Sequence, residues 1–408
     1  MDTDRDTALG RILRFVTARA LNTLGRSVIS ATVLWELYER THDKLVLAGV
    51  GFVQVVPVVL LFVPAGALVD RFDRRFLATL AAAGTGVVGV GLALASATDA
   101  PVAAYFALLL LQGCVVSIHA PAASSLLPMI VPRGELTRAN RILSSFSELA
   151  QISGPAIAGL ALVAFAPQYI YAVVGVTGLA SATLYRSLSV IARVQASPES
   201  ARRDWRVGLR FIFRSPLLLP ALTLDMFAVL FAGVTALLPA IASDVLHVGP
   251  FGYGILRASQ STGAVLMAIA GGRLPAWRRP GRVLLIVVAL FGLATAGIGL
   301  SESLPLTVVL LVACGALDNI SVVIRLTLEQ LVVPDAIRGR VSAVHYVFIG
   351  MSNELGAAEA GLAAELLGLA PAIIAGGGLA VVVVGLVALR WPALARMPPL
   401  AELEPPEP

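Results

Sequence analysis

A chain of 408 residues, 58% hydrophobic and only 13% charged, has too few polar groups to cover a water-soluble globule, where about 25% charged residues is usual. Its formal charge of +5 invites a nucleic-acid reading, but the basic residues are dispersed between apolar runs instead of gathered on one soluble face, so no nucleic-acid partner is expected. Cys114 and Cys314 sit in apolar stretches without other thiols or histidines at ligand spacing, which argues against a disulfide framework and a metal site, and no cofactor is expected.

A bilayer crossing takes about 20 mainly apolar residues. Runs of that kind, divided by turn and charge signals, predict twelve spans at 15–39, 45–69, 76–97, 102–129, 137–165, 168–192, 217–243, 251–272, 283–301, 304–331, 341–367 and 370–390. The first is expected to remain as a span: the residues before it are charged, it carries Arg19 and Arg26, and no small-residue cleavage site follows. The expected fold class is therefore an all-α membrane protein.

Lysine occurs once, at Lys44, and the other basic residues are arginines, a usage suggesting a high-GC bacterial genome. Arg5, Arg11 and Arg14, then Arg71, Arg74 and Arg75, then Arg133, Arg138 and Arg141, the six between Arg193 and Arg214, Arg273 to Arg282, Arg338, Arg340, Arg390 and Arg396 all fall on one side of the spans. The opposite loops hold Arg40 and Lys44. The positive-inside rule assigns the crowded side, with both termini, to the cytoplasm, and so places the chain as a multi-pass protein of the bacterial inner membrane.

The longest polar stretch in mid-chain, 195–216, contains the amphipathic RRDWRVGLRFIFRSP and reads as a linker on the inner membrane surface. It separates an N-terminal six-helix bundle, 1–194, from a C-terminal one, 217–392, with a cytoplasmic tail at 393–408. A constant offset superposes Gly113 on Gly315, Val131-Pro132 on Val333-Pro334, Arg138 on Arg340, Gly154 on Gly356 and Gly159-Leu160-Ala161 on Gly361-Leu362-Ala363. Two six-helix halves that both start in the cytoplasm make a parallel repeat about an axis along the membrane normal.

The loop after the second span, Gly66-Ala67-Leu68-Val69-Asp70-Arg71-Phe72-Asp73-Arg74-Arg75, resembles the signature of the major facilitator superfamily, except that Asp73 stands where the family usually has glycine. Gly66 lets helices approach closely, Asp70 can meet a neighbouring helix N-terminus, and Arg71, Arg74 and Arg75 can form interdomain ion pairs that lock an outward-facing state. In the fifth span Gly154-Pro155-Ala156-Ile157-Ala158-Gly159 is similar to the core of the drug–proton antiporter motif, with Pro155 loosening the helix and Gly154 and Gly159 permitting tight packing. Gln112-Gly113 is similar to the end of another antiporter motif, whose arginine is replaced here by Leu109. Residues 332–361, with VPRGELTRANRILSSFSELAQISGPAIAG, resemble the facilitator branch that contains the enterobactin exporter and related efflux proteins. The resemblance implies export of small amphiphilic molecules, drug-like or siderophore-like, by alternating access and driven by protons. The partners it implies are a small-molecule substrate, protons and the bilayer, with the chain acting as a monomer.

Charged residues at mid-bilayer depth are functional candidates because leaving them unpaired in hydrocarbon is costly. Those taken as candidate coupling or cavity residues are Arg26, Glu148, Asp225, Asp318, Arg325 and Glu354, in spans 1, 5, 7, 10 and 11, which line or flank the cavity in facilitators; Arg257 and Glu359 lie at similar depth. Asp318 and Arg325 share one helix face two turns apart and are expected to find partners across the cavity rather than in each other. Glu354, with Arg26 or Arg325 as counter-charge, is the expected proton carrier. Glu36 and Glu329 read as interfacial residues near helix ends, and His119 and His345 as hydrogen-bonded packing residues. Two other transport readings remain open: a flippase for lysophospholipid or another amphiphile, and a facilitator working in the uptake direction. An enzyme is not expected, since the four histidines are scattered and no nucleophile or metal arrangement appears.

Overall fold

The computed structural model describes residues 2–190, 205–271 and 277–403. Every long regular element among the described residues is helical, as the hydropathy requires: in hydrocarbon a helix bonds its own backbone and leaves no edge. The chain divides into two compact units, one of residues 1–40 and 53–202, the other of residues 41–52 and 203–408. The bundle division expected at 195–216 has its first ten residues, 195–204, outside the described ones.

The first unit is built from α1 (Asp2–Thr41), α2 (Lys44–Arg71), α3 (Arg74–Ala97), α4 (Val102–Ile130), α5 (Leu136–Ala164) and α6 (Pro167–Arg186), the opening turns of α2 grouping with the second unit. The second unit holds α7 (Trp205–Arg214), α8 (Leu218–Ala232), α9 (Leu238–Ala240), α10 (Gly249–Gly271), α11 (Pro280–Gly299), α12 (Leu304–Val332), α13 (Asp335–Leu367), α14 (Leu369–Arg390) and α15 (Pro392–Ala395). Eight helical runs are long and apolar enough to cross a membrane by length and composition; α1, α6, α10 and α13 have the length but are diluted by polar residues and glycine. Counting the run from α8 to Val245 as one, twelve long helical runs follow one another in the order of the expected spans.

Local chemistry explains the boundaries. Asp73 caps α3, its Oδ1 accepting from the Phe76 amide at 2.8 Å, which is what this residue does in place of the family's glycine. Proline occupies the first turn of α6 and α11, where a missing amide costs nothing. Gly368, at φ +88°, makes the one-residue break between α13 and α14, a conformation that other L residues avoid.

Two expected spans differ from their observed forms. The first span, read as 15–39, occupies the C-terminal part of a 40-residue helix whose charged first turns continue the same rod. The seventh, read as one helix over 217–243, is broken: α8 stops at Gly233, a 3-10 turn covers Val234–Leu237, α9 follows, and Ile241–Val245 is a π-helix. At Gly233 a side chain would meet the Val229 carbonyl at 2.5 Å. The broken ladder is repaired from a neighbouring helix, with the Thr295 hydroxyl donating to the Ala232 carbonyl at 3.3 Å.

Both units pack their helices through small residues. A Cβ on Gly89 of α3 would lie 2.6 Å from the Gly175 nitrogen of α6, and one on Gly178 would lie 2.5 Å from that of Gly86. In the second unit α11 and α14 meet likewise, a Cβ on Gly377 falling 2.6 Å from the Ala296 nitrogen. Gly113 of α4 rests on Pro57 of α2, and Gly315, its counterpart in the repeat, rests on the Gln260 carbonyl of α10. Lipid tails are as apolar as leucine, so close backbone packing supplies the association energy that water supplies elsewhere. Replacing Gly89 by leucine should therefore lower the thermal midpoint of the purified protein in detergent, with an overpacking cost of about 1–3 kcal/mol. Gly378→Leu, where a Cβ meets nothing within 4 Å, should leave the midpoint near the parent's. Equal midpoints for the two variants would contradict this account of the packing.

Candidate functional site

The strongest concentration of membrane-embedded charge described within one unit lies in the second. Asp225 projects from α8 and Arg325 from α12, and they form an ion pair through Oδ2 and Nη1, with side chains 10% and 3% exposed. The guanidinium also donates from Nε to the Ser321 hydroxyl, one turn earlier on α12, at 3.2 Å. Asp318 stands a further turn back on α12, within electrostatic reach of both members of the pair. Asp225, Asp318 and Ser321 line one recess, walled by Ala228, Val287, Phe291 and other apolar side chains of α8, α11 and α12. One guanidinium thus stands against two carboxylates in a low-dielectric setting, and with both carboxylates ionised the group carries one excess negative charge.

Arg257 of α10 is also buried in this unit, and its Nε has no hydrogen-bond partner. Glu354, half-buried on α13, belongs to the turn that meets α2: a Cβ on Gly51 would fall 2.6 Å from its backbone carbonyl. Arg325, one of the two counter-charges expected for Glu354, is paired with Asp225. Arg26 lies on α1 in the first unit and is half-buried there. The side chain of Glu148, expected at the same depth in α5, lies outside the described ones.

In the signature loop, the side chains of Gly66, Ala67 and Asp70 lie outside the described ones, and Arg71 is exposed at the end of α2. Arg75 donates to the Leu188 carbonyl at 2.9 Å and Arg74 to the Met129 sulfur at 3.4 Å. The described partners of these two arginines are a carbonyl and a thioether of their own unit. The antiporter-like segment is continuous helix in α5 despite Pro155: Gly154 presses against Ser27 and the Leu24 carbonyl of α1, and Gly159 is buried.

Two carboxylates read from sequence as interfacial are instead buried hubs. Glu36 is 4% exposed, and its Oε1 accepts from the Ser96 hydroxyl at 2.6 Å and the Tyr105 hydroxyl at 2.8 Å. Arg40 pairs with it at 3.0 Å, reaches Asp99 at 3.0 Å and lies over the Tyr105 ring, so α1, α3 and α4 are tied at one point. Glu329 on α12 is 5% exposed and is engaged by His345 and Ser342 of α13. The spacing of Glu36 and Arg40, and of Ser321 and Arg325, one helical turn in each case, was the available signal; the partners on other helices left none. His119 packs edge-on to Tyr185 with ring centres 5.6 Å apart.

Stranding one member of the buried pair is costly in a way that losing both is not. Asp225→Asn should lower the melting midpoint and membrane yield, by about 3–5 kcal/mol of stability, and adding Arg325→Gln should recover most of the loss. A double variant no more stable than Asp225→Asn would show that the pair is not what the single substitution breaks.

Comparison with known proteins completes the site's setting. The model of the family described as the Major Facilitator Superfamily matches residues 15–357. The chain is 28% identical over 330 residues to the enterobactin exporter EntS of Citrobacter koseri, covering 79% of this chain and 77% of that one. It is likewise 28% identical over 325 residues to EntS of Escherichia coli O139:H28, covering 78% and 76%. Among solved structures it is similar to a POT family transporter in complex with 5-aminolevulinic acid, with a TM-score of 0.73, 12% identity and coverage of 94% and 96%. It also resembles a bacterial homologue of the human lysosomal transporter Spinster in an inward-facing, unoccupied conformation, with a TM-score of 0.71, 16% identity and coverage of 98% and 99%. These structural likenesses speak to the fold alone.

Proposed function

Since the chain belongs to the Major Facilitator Superfamily and is a multi-pass membrane transporter of small molecules, we propose that it is a proton-coupled exporter of small amphiphilic, siderophore-like compounds, with Asp225, Arg325 and Asp318 as its coupling centre. The observation that carries this reading is the charge imbalance at the recess: Asp225 and Asp318 both line it, and the Arg325 guanidinium within electrostatic reach of both is paired with Asp225. Asp225 is committed to Arg325, so Asp318 is the group on which a proton completes the charge balance. Loading that proton makes the recess neutral and lets the helices around it rearrange without carrying net charge through hydrocarbon; releasing it restores the pull on Arg325. Substrate class and direction rest on the enterobactin exporters among the relatives. Alternating access between two six-helix bundles, by a monomer with both termini in the cytoplasm, completes the reading.

Asp318→Asn keeps the shape of the residue and removes its proton. In proteoliposomes, movement of enterobactin driven by a pH gradient should fall about tenfold or more, while exchange without a gradient is largely retained, because exchange needs no net proton transfer. A stable Asp318→Asn protein that still accumulates enterobactin against its gradient would sink the coupling assignment. In cells deprived of their own exporter, failure of the parent chain to restore enterobactin secretion would sink the substrate class.

The orientation has its own test. In a background with Cys114 and Cys314 replaced by alanine, a single cysteine at position 210 should react with a membrane-impermeant maleimide only after the cells are opened. Labelling in intact cells would invert the topology.

A further inference from the structure

The helix α7 is anchored on one face and exposed on another. Ile212 is 2% exposed within the core of the second unit, Leu209 and Phe211 pack against that core, and a Cβ on Gly208 would fall 2.7 Å from the Arg340 carbonyl of α13. The helix therefore lies flush on α13. The Ser215 hydroxyl then accepts from the Leu218 amide at 3.2 Å and turns the chain into α8, a membrane span, so α7 sits at the boundary of the bilayer. On the open face Arg206, Arg210 and Arg214 are all exposed and recur every fourth residue, within an arc of about 80° at about 100° per residue. Phe213, 58% exposed, borders that arc about 20° from Arg206.

From this arrangement we propose that α7 is a binding site for an anionic phospholipid: Arg206, Arg210 and Arg214 hold the headgroup phosphate and Phe213 enters the acyl boundary beside it. Guanidinium forks match phosphate oxygens in pairs, and an interfacial helix with basic and aromatic residues side by side is built for the headgroup level. Exposed Phe213 separates this occupant from a soluble anion, which would leave the ring in water. Gly208 and Ile212 hold the helix against α13, which presents the guanidinium row on the exposed face. The site is independent of the substrate and coupling ion assigned above.

The test uses the full-length protein in mixed micelles containing phosphatidylglycerol or phosphatidylcholine, with retained lipid counted by native mass spectrometry. Phosphatidylglycerol should be preferred, and the combined R206Q/R210Q/R214Q variant should weaken its retention by about fivefold per arginine, roughly a hundredfold in all. The control R278Q/R279Q removes two exposed arginines elsewhere in the same unit and should change little. Unchanged retention in the triple variant, an equal loss in the control, or full displacement by millimolar inorganic phosphate would each overturn the proposal. Should the triple variant not fold, the parent decides the matter in about 1 M salt, where the screening length is about 3 Å. Loss of the phosphatidylglycerol preference there supports the site, and its persistence overturns it.

Discussion

Hydrocarbon offers no hydrogen bonds, and every polar group that enters it must be satisfied by the chain itself. The structure is organised by that constraint. Charges inside the units are met by side chains of the same or neighbouring helices: Asp225 by Arg325, Glu36 by Arg40 of its own helix and by Ser96 and Tyr105, Glu329 by His345 and Ser342. The break at Gly233 is accommodated because Thr295 reaches the Ala232 carbonyl. Most of these contacts tie one helix to another, so the polar groups that are most costly to insert also help to specify the packing.

The same solvent removes the usual reason for helices to associate. With apolar side chains equally at ease in lipid, contact depends on how closely backbones can approach. Gly86, Gly89, Gly175 and Gly178 solve this in the first unit, and Gly292 and Gly377 in the second. Gly113 and Gly315, paired by the sequence repeat, do equivalent work: each is the small residue by which one span rests on its neighbour.

Against this uniform background the recess at Asp225, Asp318 and Ser321 stands out because its charges do not cancel. A static ion pair needs one partner for each charge. An extra carboxylate beside a buried pair stores a charge imbalance that a mobile cation can complete, and the proton is the smallest that fits between packed helices. The arginines of α7 pose a different case at the bilayer's edge, where the partner proposed for a row of like charges is a lipid phosphate.

The sequence by itself determined the fold class, the helical spans and the arginine asymmetry, because hydropathy and charge are sums over neighbouring residues and need no knowledge of the partner. It also carried the repeat, through residues such as Gly113 and Gly315 at a constant offset. Only the tertiary structure decided which charges meet. Glu36 and Glu329 read as interfacial from their places near helix ends, and became buried hubs because Tyr105 and His345, on other helices, come to them. Arg325 was a lone charge until α8 brought Asp225 against it, and the break in the seventh span depended on Thr295 standing ready across the gap. Pairing is a property of two positions in space, and a single chain of letters records only one of them at a time.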